Sequence, residues 1–401
     1  MSRRKGRYER RAARRREKHE ARCAEIGGLD EVFSYSNLFR AGRACCNSVR
    51  WKNSVQRFEL HLFSGTAKRR RDILTGRHRW ANYVHFIISE RGKTRPIDAP
   101  RIQDRQIHKA FTREALLPLY QPSMIYNNGA SLRGKGFEFT KRMLRDELRA
   151  HYRRYGREGW IILIDFQKFF PSVSHEEIKK RHKRYLLNEE LRAFADGIVD
   201  TVPGGIGMPL GVEPSQAEMI AFPSPLDNFI KCQLGLKGGG HYMDDYYIIV
   251  PPARDPREIM QQVIEKAEEQ KLTVSKSKSR IVPLTRGFRF CKVKYELTES
   301  GKVVTHGNRK APRRARKKIR VFHERVENGA MTYMDLWTSV NGMLAYLEQY
   351  NDHEKVLELR RVFYRTYGFS CEHYETFRQK ELERCSTSHT DDLRRRQTAA
   401  S

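Results

Sequence analysis

The stretch His-Tyr-Met-Asp-Asp-Tyr-Tyr-Ile-Ile-Val, residues 241–250, places two adjacent aspartates between aromatic and β-branched residues. This pattern predicts a β-hairpin with Asp244 and Asp245 at its tip. Asp-Asp is a poorer turn former than Asn-Gly or Asp-Gly, and two like charges side by side repel unless a cation binds them. The sequence therefore favours a hairpin that presents carboxylates to a divalent metal, with an exposed acidic turn as the alternative.

A second strand is predicted where an apolar run ends in a single carboxylate. Trp-Ile-Ile-Leu-Ile-Asp, residues 160–165, is typical of a buried strand that delivers Asp165 at its C-terminal end. With Asp244 and Asp245 it would place three carboxylates on two strands. Such a set can chelate two divalent ions that clamp the attacking and leaving oxygens of a phosphoryl transfer. All three are therefore predicted metal ligands, with two Mg²⁺ ions as the cofactor and Mn²⁺ as a substitute.

Net charge indicates the class of partner. The 401 residues include 78 Lys and Arg against 48 Asp and Glu, which gives a net charge of +30 and a pI near 10.0. This excess predicts a polyanionic partner, with nucleic acid first and an anionic membrane surface second. No run approaches the ~18 consecutive apolar residues of a membrane span, so no membrane partner is expected.

The cysteines and the first residues bear on the compartment. Seven cysteines are scattered without a C-x-x-C pair, and an odd number in a long chain argues against a disulfide framework. The opening Met-Ser-Arg-Arg-Lys is charged, unlike the apolar core of a signal peptide. Reduced thiols in a cytoplasmic protein are expected.

Basic residues are concentrated in the N-terminal part of the chain. Residues 1–24 predict a disordered or marginally helical arm that binds phosphate backbones, with a solubilising tail as the alternative. Residues 83–88 and 93–97 predict a hairpin that turns at Arg91-Gly92. The basic residues of this hairpin, and those that follow it closely, suit the binding of a triphosphate or of a template backbone, with a solvated face as the alternative. They are Lys93, Arg95, Arg101 and Arg105.

Apolar spacing and capping residues predict several helices. Residues 29–64 predict two helices. Ser174 and Glu177 predict a capping box at the start of another helix, and Ser224 is the predicted cap of a further one. After about Glu375 the chain is polar and is expected to fray.

Two further basic elements are candidates for nucleic-acid binding. The Gly-rich loop 127–136 contains Arg133 and Lys135 and does not follow the Walker A pattern. Residues 309–320 are the densest basic run outside the N-terminal arm.

The tetrapeptide Tyr-Met-Asp-Asp (YMDD) at 242–245 matches the signature of reverse transcriptases. Other motifs follow in the order of that family, so that residues 80–300 resemble a reverse transcriptase. These motifs are 93–105 in the fingers, 131–136, 165–172 on the first palm strand, 209–216, 272–279 and 287–292.

The resemblance implies an α+β fold, a right-hand polymerase with a ferredoxin-like palm, basic fingers and a helical thumb. The expected parts are a basic arm (1–28), N-terminal helices and fingers (29–159), a palm with part of the fingers (160–306), a helical thumb (307–375) and a polar tail (376–401). Template and primer would be held on the thumb side by Arg313, Arg314, Arg316, Lys317 and Lys318.

The resemblance also implies roles for single residues. Asp165 and Asp244 would be the principal metal ligands and Asp245 a supporting carboxylate. Phe170 falls at the steric-gate position, where an aromatic ring excludes a 2′-hydroxyl, and its alternative is a core phenylalanine. Lys278 matches the lysine proposed to protonate the pyrophosphate leaving group.

Substrate and primer contacts follow in the same way. Lys93, Arg95 and Arg105 would contact the incoming triphosphate. Lys292, after Phe290 and Cys291, lies where the primer-grip turn of the family is found.

One motif departs from the common pattern. Retroviral, retron and group II intron enzymes usually have Gln-Gly followed by Ser-Pro in the helix that supports the nascent base pair. Here the residues are Leu210-Gly211 and Ser215-Gln216. This resembles diversity-generating retroelement enzymes and several bacterial unknown-group, defence-associated reverse transcriptases. In the former, an aliphatic residue at the position of Leu210 is associated with error-prone copying of adenine. Leu210, Gly211 and Gln216 are therefore the residues of this motif that are expected to contact the substrate at the nascent base pair.

The expected function is RNA-directed DNA synthesis from dNTPs at a primer 3′-hydroxyl. The expected partners are an RNA template or non-coding RNA, the DNA product, and an accessory protein or a second copy of the chain. A bacterial or phage enzyme of anti-phage defence is favoured over one of a diversity-generating retroelement. The alternatives are template-independent or protein-primed DNA synthesis, and a non-catalytic nucleic-acid-binding protein.

Overall fold

The chain forms two units in the computed structural model, which describes residues 2–90 and 93–384. Unit 1 comprises the residues up to 151 and 159–282, and unit 2 comprises 152–158 and the residues from 283 onward. Three predicted features lie outside the described residues. They are the Arg91-Gly92 turn, the Lys93 side chain and the part of the polar tail from residue 385.

Unit 1 contains both helices and strands. In chain order they are α1 (Ser2–Ile26), α2 (Leu29–Val32), α3 (Tyr35–Cys46), α4 (Asn53–Leu60), α5 (Leu62–Leu74), β1 (Val84–Glu90), β2 (Lys93–Ala99), α6 (Ile102–Phe111), α7 (Leu117–Tyr120), α8 (Phe137–Tyr155, which continues into unit 2), β3 (Trp160–Asp165), α9 (Phe169–Ser172), α10 (His175–Tyr185), α11 (Glu189–Val199), α12 (Glu213–Ala221), α13 (Ser224–Asn228), β4 (Gly239–Tyr242), β5 (Asp245–Val250), α14 (Pro256–Glu268) and β6 (Arg280–Pro283). A π-helical turn, Thr112–Leu116, joins α6 to α7.

The palm is a four-stranded sheet with the strand order β4-β5-β3-β6. Strands and helices follow one another as β-α-β-β-α-β, and this order with these neighbours is the ferredoxin-like arrangement. Alternate residues such as Ile162, Ile164 and Ile248 point to one face, because side chains alternate along a strand. There they form a buried core with Ile259 and Val263 of α14. The α+β prediction with a ferredoxin-like palm is confirmed.

The fingers combine a hairpin and a helical layer. β1 and β2 pair in antiparallel fashion with Ile87 opposite Pro96, as the sequence predicts. The helical layer has its own core, in which Leu38 of α3, Ile107 and Phe111 of α6 and Leu119 of α7 are buried. Residues 29–64 form α2, α3, α4 and the start of α5 instead of two helices.

The N-terminal arm is helical, which agrees with the helical alternative of the prediction and not with the disordered one. α1 runs to Ile26, and both Cys23 and Ile26 pack against the core of the helical layer. His19, one turn before Cys23, meets the edge of the Tyr185 ring with centroids 5.9 Å apart. The repeated spacing of three or four residues places these side chains on one helix face, so tertiary packing stabilises a helix that its charge alone would not.

The two predicted helix caps have different outcomes. Ser174 is the N-cap residue of α10, as predicted, but its side chain makes no capping hydrogen bond, so the predicted capping box is wrong. The backbone N–H of His175, the first residue of α10, donates to the carbonyl of Gly205 at 3.0 Å. Ser224 lies inside α13, and its hydroxyl donates to the carbonyl of Ala221 at 2.7 Å.

Unit 2 contains a small sheet and a helical bundle. In chain order its elements are β7 (Phe288–Phe290), β8 (Val293–Leu297), β9 (Val303–His306), α15 (Ala311–Glu327), α16 (Tyr333–Glu348) and α17 (His353–Tyr367). The sheet has the order β7-β8-β9. Ile319 of α15, Leu344 of α16 and Phe363 of α17 lie in one core. Residues 374–384 are also helical, and Phe377 is buried in that core, so the fraying predicted after Glu375 is wrong as far as residue 384.

Across the described part of the chain, every helix is too short or too polar to cross a lipid bilayer.

Candidate active site

The two acidic motifs meet at one end of the palm sheet. β3 and β5 are antiparallel neighbours whose register sets Asp165 opposite Asp245. Tyr242 of β4 also lies opposite Asp245, which leaves Met243 and Asp244 as the two turn residues. The predicted hairpin is confirmed, but its tip is Met-Asp and not Asp-Asp. Met243 adopts a left-handed φ of 55°, which is strained for a side chain with a Cβ atom.

The charges at this end of the sheet act on Asp244. Burial raises the pKa of Asp244, and the negative charge of Asp165 raises it further. The positive charges of Lys278 and Arg95 lower it. The two carboxylates are therefore close enough to repel each other, and a cation between them would relieve that repulsion.

Lys278 is bound to the end of β3. Its Nζ donates to Oδ1 of Asp165 at 2.6 Å, and this hydrogen bond raises the pKa of Lys278. The backbone around Lys278 is attached to the same strand. The N–H of Ser275 donates to the Asp165 carbonyl at 2.8 Å, and the N–H of Asp165 donates to Oγ of Ser279 at 3.2 Å. The Lys278 side chain is 58% exposed, so its ammonium group can reach a substrate.

The fit of a metal ion depends on the available donors. Within residues 2–90 and 93–384, no group of three or more His, Cys, Asp and Glu side chains is arranged as a metal centre. Mg²⁺, however, is commonly held by only one or two carboxylates together with substrate phosphates. Asp165 and Asp244 supply two hard oxygen donors whose charges interact, so the donor set fits Mg²⁺ in the presence of a triphosphate.

The steric-gate candidate Phe170 and the loop between α11 and α12 are connected through the backbone. Phe170 is half-buried against the palm core, and its carbonyl accepts the N–H of Met208 at 2.9 Å. Two residues further, the Leu210 carbonyl accepts the N–H of Asp98 in β2 at 3.1 Å. Gly211 has a φ of +107°, and a Cβ atom there would lie 3.1 Å from the Asp98 carbonyl oxygen. Only glycine therefore lets this loop lie against the fingers strand.

Three of the predicted substrate-binding residues line one cavity. Arg105, Gly211 and Gln216 surround a space of about 300 Å³ between α6 and α12, which His108 and Thr112 also line. Burial lowers the pKa of His108 to about 3, so its ring is neutral. Both ring nitrogens of His108 and Oγ1 of Thr112 have no hydrogen-bond partner among the residues that the structure describes. The cavity combines the Arg105 guanidinium group, the Glu213 carboxylate and neutral donors and acceptors.

Comparison with known proteins decides the family. The family model described as reverse transcriptase (RNA-dependent DNA polymerase) matches residues 87–297, which is more than half of the chain. The chain belongs to the reverse transcriptase family. The matched span contains both acidic motifs, and the predicted enzyme class, an RNA-directed DNA polymerase and thus a nucleotidyltransferase, is confirmed at the level of this family.

One solved structure with a similar course of the chain is telomerase from Candida albicans, in a complex with a TWJ fragment of telomeric RNA. The two chains share 12% sequence identity with a TM-score of 0.44, over 77% of this reverse transcriptase and 58% of the telomerase chain. This reverse transcriptase therefore spans less than two thirds of the telomerase chain. No curated protein sequence matches it.

The predicted nucleic-acid contacts of this reverse transcriptase differ in their surroundings. Arg133 is exposed, whereas the Nζ of Lys135 donates to the carbonyls of Tyr126 at 2.6 Å and Asn128 at 3.1 Å. Lys135 therefore supports its own loop. Lys292 lies in the tight β7–β8 turn with a left-handed φ of 69°.

The basic run on α15 separates into two faces. Ala315 and Ile319 are buried in the unit 2 core, and Arg316 pairs with Glu358. The remaining predicted contacts are exposed, because positions on the opposite side of the helix face the solvent. They are Arg313, Arg314, Lys317 and Lys318.

The residues that support the acidic hairpin carry little sequence signal. Asp227 of α13 and His241 of β4 are fully buried polar residues behind the turn. Glu147 of α8 accepts the N–H of Gly239 at 3.0 Å and the side-chain amide of Asn127 at 2.5 Å. Only the position of His241, immediately before Tyr-Met-Asp-Asp, could have suggested a role.

Proposed function

We propose that this protein synthesises DNA on an RNA template, adding deoxynucleotides to a primer 3′-hydroxyl by two-metal nucleotidyl transfer. The proposal is carried by one juxtaposition: Asp165 lies opposite Asp245, and the charge of Asp165 reaches Asp244 at the turn. The positive charges of Lys278 and Arg95 act on the same carboxylate. Carboxylates flanked by cations suit a reaction in which negative charge moves along a polyphosphate.

Asp165 and Asp244 would hold the metal ions, with Asp245 as a supporting carboxylate. When bound, two Mg²⁺ ions, or Mn²⁺ in their place, would activate the primer hydroxyl and neutralise the charge of the phosphates. Asp165 already binds one cation, the ammonium group of Lys278 at 2.6 Å, which supports its ability to bind another.

The cations of the site would handle the triphosphate. Lys278 would leave Asp165 and donate a proton to the departing pyrophosphate, a task that suits an exposed ammonium group on a long stem. Arg95 would bind the phosphates, since its charge already acts at Asp244. Lys93 and Arg105 would extend this contact.

Selection of the substrate would fall to the loop between α11 and α12 and to Phe170. The Phe170 ring would lie beneath the sugar and exclude a 2′-hydroxyl, which favours dNTPs. Leu210, Gly211 and Gln216 would lie beside the nascent base pair. The exposed cations of α15 and Arg133 would bind the backbones of the RNA template and the DNA product.

The cellular role is a separate part of the proposal. Leu210-Gly211 with Ser215-Gln216 resembles the defence-associated reverse transcriptases of bacteria and phages, and we place the protein in cytoplasmic anti-phage defence with a non-coding RNA. An accessory protein or a second copy of the chain is an expected partner. Error-prone copying in a diversity-generating retroelement is the second candidate, because the Leu210 pattern also resembles those enzymes. A template repeat beside a variable gene would favour the second role.

Asp244→Asn tests the chemistry. Incorporation of dTTP on poly(rA) primed with oligo(dT) should fall at least about a thousandfold, since metal-bound carboxylates supply several kcal/mol of transition-state stabilisation. Asp200→Asn is the control, because Asp200 is an exposed aspartate of unit 1 that pairs with Lys179 away from the site. Its activity should stay within about twofold of wild type.

Template dependence separates the proposal from its alternatives. Product that follows the sequence of an added RNA supports RNA-directed synthesis, whereas product that forms without RNA indicates terminal addition or protein priming. Equal activity in wild type and Asp244→Asn would show that these carboxylates do not carry the reaction. RNA binding without any incorporation would indicate a non-catalytic binding protein.

A further inference from the structure

The turn of the acidic hairpin is held by a side chain from its own strand. His241 is fully buried on β4, and its Nδ1 lies 3.1 Å from the carbonyl oxygen of Met243. Met243 is the turn residue with the left-handed φ of 55°. A hydrogen bond to its carbonyl restrains the peptide group that joins Met243 to Asp244, and so restrains the direction in which the Asp244 carboxylate points.

His241 is itself oriented by two buried partners. Its Nε2 lies 3.2 Å from Oδ2 of Asp227, and the hydroxyl of Tyr246 donates to the other oxygen, Oδ1, at 3.0 Å. The rings of His241 and Tyr246 are stacked, with centroids 4.4 Å apart and planes only 3° from parallel. Asp227 is 1% exposed and belongs to α13, so a helix behind the sheet determines the plane of the imidazole ring.

The chemistry of the partners defines the direction of these hydrogen bonds. The Met243 carbonyl can only accept, so the imidazole donates to it from Nδ1, while Nε2 faces the Asp227 carboxyl group. The backbone of His241 is also engaged: its N–H donates to the Asn127 carbonyl at 3.2 Å, and its carbonyl accepts the N–H of Gly129 at 3.0 Å. Both bonds lie on one edge of β4, and β5 pairs with its other edge, so the backbone of the strand is held on both sides.

We propose that His241, oriented by Asp227 and Tyr246, is a positioning residue that fixes the Met243-Asp244 turn and thereby the Asp244 carboxylate. This inference rests on the proposed polymerase activity. It explains how a Met-Asp turn, which has neither Gly nor Asn to accept the left-handed conformation, keeps one geometry. His241 is fully buried behind the turn and acts through its bond to Met243.

Two substitutions separate the two hydrogen bonds of the ring. The amide nitrogen of Asn falls near Nδ1 of histidine and that of Gln near Nε2. His241→Asn should therefore keep the bond to Met243, and His241→Gln should keep only the bond to Asp227. We expect kcat on poly(rA)·oligo(dT) to fall about 100-fold in His241→Gln, because a small misplacement of a reacting group costs about that much. In His241→Asn it should stay within about tenfold of wild type, and KM for dTTP should change less than about threefold in both.

Two controls distinguish positioning from loss of folding. His182→Gln removes another buried histidine of unit 1 that is bonded to two carboxylates, and its kcat should remain near that of wild type at a temperature where it is folded. Deuterium exchange of the peptide covering 239–250 should be faster in His241→Gln than in His241→Asn. Asp227→Asn, which keeps the volume of the side chain, should lower kcat about tenfold with the same small change in KM.

The outcomes are separable. Equal kcat losses in His241→Asn and His241→Gln, an equal loss in His182→Gln, or a kcat within twofold of wild type in His241→Gln would each overturn the inference. If wild type makes no DNA at all, the proposed function fails. The difference in exchange between the two His241 variants then still decides whether the ring holds the turn.

Discussion

His182 should make the stability of unit 1 depend on alkaline pH. Its ring is fully buried, with Nδ1 2.6 Å from Oδ1 of Asp196 and Nε2 2.9 Å from Oε1 of Glu218. These three residues belong to α10, α11 and α12, so the imidazole joins the three helices. α12 also carries Gln216 of the polar cavity.

The magnitude follows from the pKa of His182. Burial lowers this pKa, but the charges and hydrogen bonds of Glu218 and Asp196 outweigh burial and raise it to about 9, from 6.5 in an unperturbed histidine. A difference of about 2.5 corresponds to about 3 kcal/mol, at about 1.4 kcal/mol for each pKa unit. Because the folded-state pKa is the higher one, this stabilisation is complete below pH 6.5 and is lost as the pH rises through about 9.

Urea unfolding of wild type and His182→Gln at several values between pH 6 and pH 10 measures the effect. The free energy of unfolding of wild type should fall by about 3 kcal/mol relative to that of the variant across this range. His85→Gln is the control, since His85 also pairs with an aspartate, Asp98 at 2.7 Å, but is 73% exposed. Exposed pairs contribute little, so this variant should follow wild type. Parallel curves for wild type and His182→Gln would refute the reasoning.

Two further predictions concern substrate selection. Phe170→Ala should lower the preference for dTTP over the matching ribonucleotide by about 10- to 100-fold, because the ring that excludes the 2′-hydroxyl is gone. Competition assays with both nucleotides measure this, and an unchanged preference would assign Phe170 to the palm core alone. Leu210→Gln should lower misincorporation opposite adenine about tenfold, since a polar side chain can restore contact with the nascent base pair. Sequencing of extended primers measures this, and an unchanged error rate would exclude Leu210 as its source.

The elements that local periodicity encodes could be predicted from the sequence. The apolar run that ends at Asp165 and the aromatic and β-branched run after Asp245 identify two strands, and both form the centre of the palm. The order of motifs between 87 and 297 was sufficient to indicate the family. Such patterns can be recognised in a sequence because the spacing of apolar residues follows the geometry of the buried strand or helix.

Other features depend on contacts with residues far away in the chain, and the local sequence gives no indication of these contacts. The C-terminal part of α1 packs through Cys23 and Ile26 on another layer, a contact that the local sequence does not record. The capping hydrogen bond expected from Ser174 does not form, and the next backbone N–H, that of His175, bonds to Gly205 in a separate loop.

The acidic hairpin shows the same division. Its carboxylates are evident from Tyr-Met-Asp-Asp alone, because residue type determines which groups can bind a divalent cation. Which residues form the turn, and what holds it, was decided by the tertiary structure. The register of β4 and β5 makes the turn Met243-Asp244. A buried carboxylate on α13, Asp227, aligns the histidine that bonds to it, and such contacts between distant segments exist only once the chain has folded.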